Sequence, residues 1–88
     1  MQISYTASFI RMLKSLPDNL ITEAMEKIEL FRDPINHEHL KVHKLNGRLK
    51  GRFSFSVNYK TRIVFSFLKT APKEARLDAI GDHDVYDG

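Results

Sequence analysis

The chain has 88 residues, 42% of them hydrophobic, with a formal net charge of +3 and no cysteine. That length allows one small core, so we predict a single domain over residues 1–88. The composition excludes a disulfide scaffold, a thiolate metal centre and a disordered chain. No segment has the length of a membrane span and no signal peptide is apparent, so we expect a soluble, cytoplasmic protein without a membrane partner.

Positive charge is concentrated in the middle of the chain. Residues 41–62 contain seven lysines and arginines and no acidic residue, whereas residues 74–88 contain five acids and one base. Such a polarised surface favours a polyanionic partner, above all nucleic acid. A solvated sheet face without a partner explains the same charge equally well.

A short strand and two helices are predicted in the first half. Residues 2–5 alternate polar and apolar side chains, and apolar residues then recur at helical spacing in residues 9–16 and again in residues 20–31. Thr6 or Ser8 can cap the first helix. The short link between the helices predicts an antiparallel helical hairpin.

Four more strands are predicted in the second half, over residues 40–45, 52–59, 61–68 and 75–81. The order β-α-α-β-β-β-β indicates an α+β fold, with the helical hairpin packed on one face of a mainly antiparallel sheet. The aromatic face of the sheet needs the helices as its cover, and we expect the opposite face to be exposed. That face would carry Arg52, Ser54, Ser56 and Arg62.

Three residues of the strand region could act together on a phosphate. A guanidinium at Arg62 can hold a phosphate through two hydrogen bonds. His43 and His83 carry the side chain that titrates near neutrality, so a pair of them could supply a base and an acid. Each residue alone is better explained as an ordinary surface residue.

His37, His39 and His43 have a spacing that could bind zinc, but two of them lie in a polar connector and no fourth ligand is apparent. We therefore predict no metal. No nucleophilic triad, glycine-rich phosphate loop or dinucleotide fingerprint is present, and no cofactor is predicted.

Three segments resemble the RelE/ParE superfamily of bacterial toxins from type II toxin–antitoxin systems. They are the LFRDP end of the second helix, the segment HKLNGRLKGRFSFSVNYKTRIVF and the close IGDHDVY. The resemblance covers essentially the whole chain and implies the architecture predicted above. Its RelE-, YoeB- and YafQ-like branch implies a metal-independent, ribosome-dependent mRNA endoribonuclease, in which a 2′-hydroxyl attacks the adjacent phosphate and translation is inhibited. The implied partners are a cognate antitoxin, the ribosome with its mRNA, and operator DNA reached only through the antitoxin complex.

The resemblance also implies site residues. His43 stands two positions before the leucine of the L-x-G motif, where relatives have a catalytic Glu or His; Arg62 matches the arginine of the fourth strand, His83 the C-terminal histidine and Tyr86 the nearby aromatic. The family archetype has lysines in its third strand, where this chain has serines. The wider predicted RNA-binding set is Lys41, Lys44, Arg48, Lys50, Arg52, Ser54, Ser56 and Lys60.

Two alternatives remain within the resemblance. The ParE branch poisons DNA gyrase without nuclease chemistry, and a degenerate toxin would only bind its antitoxin. The set of matching positions favours the nuclease, since the fold alone does not decide function.

Overall fold

The computed structural model describes residues 1–82 and 85. This part of the chain forms β1 (Gln2–Tyr5), α1 (Ala7–Lys14), α2 (Asp18–Phe31), β2 (His43–Lys44), β3 (Phe53–Ser56), β4 (Arg62–Leu68) and β5 (Glu74–Gly81). The sheet order is β1-β5-β4-β3-β2, with β1 parallel to β5 and the other pairs antiparallel. The predicted element order and α+β class are therefore confirmed. Within the described residues, no helix is both long and apolar enough to cross a membrane.

The helical hairpin covers the aromatic face of the sheet. The Phe31 ring of α2 stacks on Phe55 of β3 with centroids 4.3 Å apart and meets Phe65 of β4 edge-on at 4.7 Å. Phe9 of α1 is also fully buried in this core. Thr6 caps α1, because its Oγ1 accepts from the backbone N–H of Phe9 at 2.9 Å. Aromatic pairs of this kind add to the stabilisation from buried area. The core therefore lies where the apolar spacing predicts it.

β2 is shorter than predicted because the chain turns sharply before it. Leu40, predicted to begin the strand, is a buried core residue in a turn, and its carbonyl accepts from the Ser56 N–H at 2.9 Å. Lys41 follows with a left-handed φ of 59°, a conformation that interrupts extended pairing. The paired strand consequently begins only at His43.

β3 ends earlier than predicted, at Ser56. The Asn58 side chain accepts from the backbone N–H groups of Lys60 and Thr61, both at 2.9 Å, and so closes the turn into β4. Tyr59, predicted to end the strand, lies in this turn and is 89% exposed. Asparagine favours such local hydrogen bonding over a continued strand.

The sheet face away from the aromatic core is only partly exposed, which corrects the prediction. Ser54 and Val64 lie on this face and are buried. Val64 lines a pocket together with residues of α1 and of the loop before β3. We call this side of the sheet the pocket face.

Candidate functional site

Strand register brings most of the predicted catalytic and serine residues onto the pocket face. Residues paired across strands point to the same side of a sheet, and residues two apart along a strand share that side. His43 pairs with Ser54, and Ser56 pairs with Arg62. His43 and Arg62 are thus two strands and two residues apart, or roughly 12 Å between Cα atoms from strand spacings. Both side chains can approach one nucleotide linkage from opposite sides.

His43 is oriented by its neighbours. Its Nδ1 lies 2.8 Å from the carbonyl oxygen of Lys41, and its Nε2 lies 3.4 Å from Ser54 Oγ. A carbonyl can only accept, so Nδ1 carries the hydrogen and, in the neutral ring, Nε2 carries the lone pair. The left-handed turn at Lys41 presents that carbonyl. Ser54 is fully buried, so it contacts the His43 ring rather than serving as the exposed RNA contact that the sequence suggested.

Arg62 is tied to the hairpin between β3 and β4. Its Nη1 donates to the carbonyl oxygens of Asn58 at 2.5 Å and Thr61 at 3.1 Å. The side chain of Asn58 also donates to Glu23 of α2 at 2.6 Å. A guanidinium has five N–H donors, so these two contacts fix one side of Arg62 and leave donors for an anion.

The pocket has a volume of about 660 Å³. Two of the predicted RNA-binding residues, Arg48 and Arg52, line it. Positive φ values at Gly47 (68°) and Gly51 (91°) form the loop that carries Arg48 there, and only glycine adopts them without strain. The complete lining is Ser8, Met12, Arg48, Leu49, Arg52, Val64, Asp78, Ala79, Gly81, Asp82 and Val85.

The structure separates the remaining predicted residues. Lys44 pairs with Phe53, whose ring packs against the core, so Lys44 is directed away from the pocket face. Lys50 is exposed within the loop between Gly47 and Gly51, and Lys60 is exposed in the hairpin turn. His83 and Tyr86 lie outside the described residues. The basic segment is therefore divided between two faces and a hairpin tip.

The three histidines with zinc-like spacing are not gathered into a metal site. Within residues 1–82 and 85, no group of three His, Cys, Asp or Glu side chains could hold a metal ion. The ring of His37 stacks on Phe31 at 4.8 Å, and its Nε2 lies 2.9 Å from the Phe31 carbonyl oxygen. His37 thus packs against the last residue of α2 and hydrogen-bonds to its carbonyl oxygen.

Sequence reasoning missed Asp78, an acidic residue in the pocket. Its carboxylate accepts from Arg76 Nε at 2.8 Å and from Ser66 Oγ at 2.7 Å. The strand pattern gave no signal for it, because a register shift in β4 and β5 determines which way it points.

A helical hairpin on one face of a five-stranded, mainly antiparallel sheet is a fold that this chain shares with solved RelE-, YoeB-, YafQ- and ParE-type toxins. The chain is similar to YafQ from Escherichia coli strain BL21(DE3), with a TM-score of 0.70, 16% identity and coverage of 99% of this chain and 98% of that one. It is also similar to a chain of the RelE–RelB complex from Pyrococcus horikoshii, with a TM-score of 0.70, 18% identity and coverage of 92% of each chain. A chain of the YoeB–YefM complex from Staphylococcus aureus is similar with a TM-score of 0.70 and 16% identity, over 94% of this chain and 97% of that one. No family model and no curated protein matches the sequence. Identities this low show the fold alone.

Proposed function

We propose that this chain is the toxin of a type II toxin–antitoxin system and cleaves mRNA on the ribosome. The observation that carries the proposal is His43. Its tautomer is fixed by the Lys41 carbonyl, and it shares the pocket face with Arg62. The structural neighbours include toxins solved together with the antitoxins RelB and YefM, which supports the same role.

The chemistry follows from these groups. His43 Nε2 removes the proton from a 2′-hydroxyl, whose oxygen attacks the adjacent phosphorus. A 2′,3′-cyclic phosphate forms as the bond from phosphorus to the 5′-oxygen breaks. Arg62 stabilises the charge that develops on the phosphoryl oxygens. His83 supplies the proton that the departing 5′-oxygen takes up, and Tyr86 stacks on a base.

The partners follow from the same assignment. Arg48 and Arg52 line the pocket, and Lys41, Lys50 and Lys60 are exposed elsewhere, so these cations are available to contact ribosomal RNA and mRNA from more than one side of the domain. A cognate antitoxin covers these residues and keeps the toxin inactive. Operator DNA is bound through that antitoxin, and the site of action is the cytoplasm, where translation takes place.

Mapping transcript ends in cells that express the chain tests the proposal. We expect growth arrest and new 5′ ends inside translated codons. Intact transcripts with double-strand DNA breaks would instead support gyrase inhibition, and neither lesion would indicate a chain that only binds its antitoxin. His43→Ala should abolish the new ends, whereas His39→Ala, an exposed histidine of the connector, should not. Full cleavage by His43→Ala would refute the assigned base.

A further inference from the structure

Tyr59 is a large aromatic residue at the tip of the β3–β4 hairpin, and the proposed cleavage chemistry does not use it. Its side chain lies in solvent, since the residue is 89% exposed. The residues two positions before and after it, Val57 and Thr61, are buried. A turn of this kind is served best by Asn, Asp or Gly and gains nothing from an exposed ring. The ring is therefore available to a partner.

Hydrogen bonds hold the backbone on both sides of Tyr59. The Val57 N–H donates to the Thr61 carbonyl oxygen at 2.9 Å, and the Asn58 side chain accepts from the Thr61 N–H at 2.9 Å. The same side chain donates to Glu23 of α2 at 2.6 Å, which ties the turn to the helix. An aromatic side chain on ordered backbone loses little conformational entropy when it binds. The hairpin thus presents a preorganised ring.

Positive charge flanks this ring. Lys60 follows it directly and is exposed, and Arg62 keeps guanidinium donors beyond its contacts with two carbonyl oxygens. Glu23 approaches the turn but accepts from Asn58, and the two cations outnumber it. Tyr59 stands three residues before Arg62, so their Cα atoms are at most about 11 Å apart. A strand whose phosphate contacts Arg62 can therefore bring a neighbouring base to the ring.

Resting on the proposed function, we propose that Tyr59 is a stacking platform for a base of single-stranded RNA, close to the linkage that Arg62 holds. Aromatic side chains stack on bases of any identity, and cations beside them contact the backbone. Lys60 is that cation. A protein partner matches the tip less well, because Asn58 and Lys60 flank the ring and the core of a protein interface is depleted of charged residues.

A tryptophan at the tip reports stacking directly. The chain contains no tryptophan, so Tyr59→Trp introduces a single fluorophore. The probe is a hexamer of 2′-deoxyuridine, which carries bases but lacks the attacking hydroxyl, and it is compared with an abasic hexamer of the same charge. The deoxyuridine hexamer should quench the fluorescence and the abasic one should not. Ile35→Trp, at an 82% exposed position outside the basic segment, is the control and should not be quenched.

Fluorescence anisotropy of end-labelled hexamers measures the contribution of the ring. Tyr59→Ala should weaken binding of the deoxyuridine hexamer about tenfold and leave the abasic one unchanged, as expected for loss of one stacked base. Tyr59→Phe keeps the ring face and should bind like the unsubstituted chain, whereas Lys60→Ala should weaken both hexamers. Equal binding of the two hexamers by the unsubstituted chain, or an unchanged affinity of Tyr59→Ala, would overturn the platform.

The deoxyuridine probe cannot be cleaved by 2′-hydroxyl attack, so its binding is independent of the nuclease. Transcript cleavage inside codons together with base-independent binding refutes the platform and leaves the nuclease. Base-dependent binding through Tyr59 without any transcript cleavage refutes the nuclease and leaves the platform.

Discussion

Asn58 links the hairpin, α2 and Arg62, and its replacement by alanine should destabilise the fold by a predictable amount. The side chain donates to Glu23 at 2.6 Å and accepts from the backbone N–H groups of Lys60 and Thr61. A hydrogen bond to a charged group contributes about 1.5–3 kcal/mol and a neutral one about 1 kcal/mol. Lys60 is exposed, so water can replace part of that loss. We expect Asn58→Ala to lower the free energy of unfolding by about 2–3 kcal/mol.

Urea unfolding followed by far-UV circular dichroism measures this change, with an unchanged m value as the sign that the denatured state is unaffected. Glu23→Ala removes the acceptor on α2 and leaves the hydrogen bonds of the turn in place, so it isolates the contact with α2. Asn19→Ala, an exposed asparagine of α2, is the control and should have little effect. A double-mutant cycle of Asn58→Ala with Glu23→Ala should give a coupling of about 1 kcal/mol. A loss below about 0.5 kcal/mol, or zero coupling, would refute this account of the hairpin.

Three further results are expected. Phe55→Ala should cost about 3–5 kcal/mol of unfolding free energy, since the ring is fully buried against Phe31, and a loss below about 1 kcal/mol in urea unfolding would contradict the core described here. Arg62→Ala should abolish growth arrest, while its far-UV circular dichroism spectrum stays that of the folded protein. Arg11→Ala, at an exposed position of α1, is the control. Full toxicity of Arg62→Ala would exclude Arg62 from catalysis. Binding to ribosomes should weaken steeply between low and physiological salt, because phosphate contacts release counterions, and a flat salt dependence in sedimentation assays would exclude the basic residues as the contact.

The sequence predicts the elements better than their ends. The alternation around Phe55 and Phe65 identifies β3, β4 and their core-facing side, because residues that bury one face follow a period of two. The same pattern overextends β3 to Tyr59, since the side-chain hydrogen bonds of Asn58 that close the turn leave no trace in hydropathy. β2 is overextended for a similar reason, the left-handed turn at Lys41.

The candidate site is predicted only in part. The sequence pattern predicts the face on which Arg62 lies, and the strand pairing of the structure adds His43 to the same face. The pocket depends on where Met12 of α1 and the loop before β3 meet β4 and β5, and the orientation of Asp78 depends on a one-residue register shift. Neither a helix approach nor a bulge is encoded in local periodicity. Ser54 illustrates the consequence, because alternation places it on the correct face but cannot show that it is buried.

Cleavage of a defined mRNA on purified ribosomes tests the central claim most directly. The chain should cut an mRNA in the decoding site, leaving a 2′,3′-cyclic phosphate and a 5′-hydroxyl, and should spare the same mRNA without ribosomes. A single 2′-deoxy nucleotide at the scissile position should abolish the cut, because the attacking hydroxyl is missing. Unchanged cleavage of the 2′-deoxy transcript, or no cleavage of the unmodified one, would contradict the proposed function.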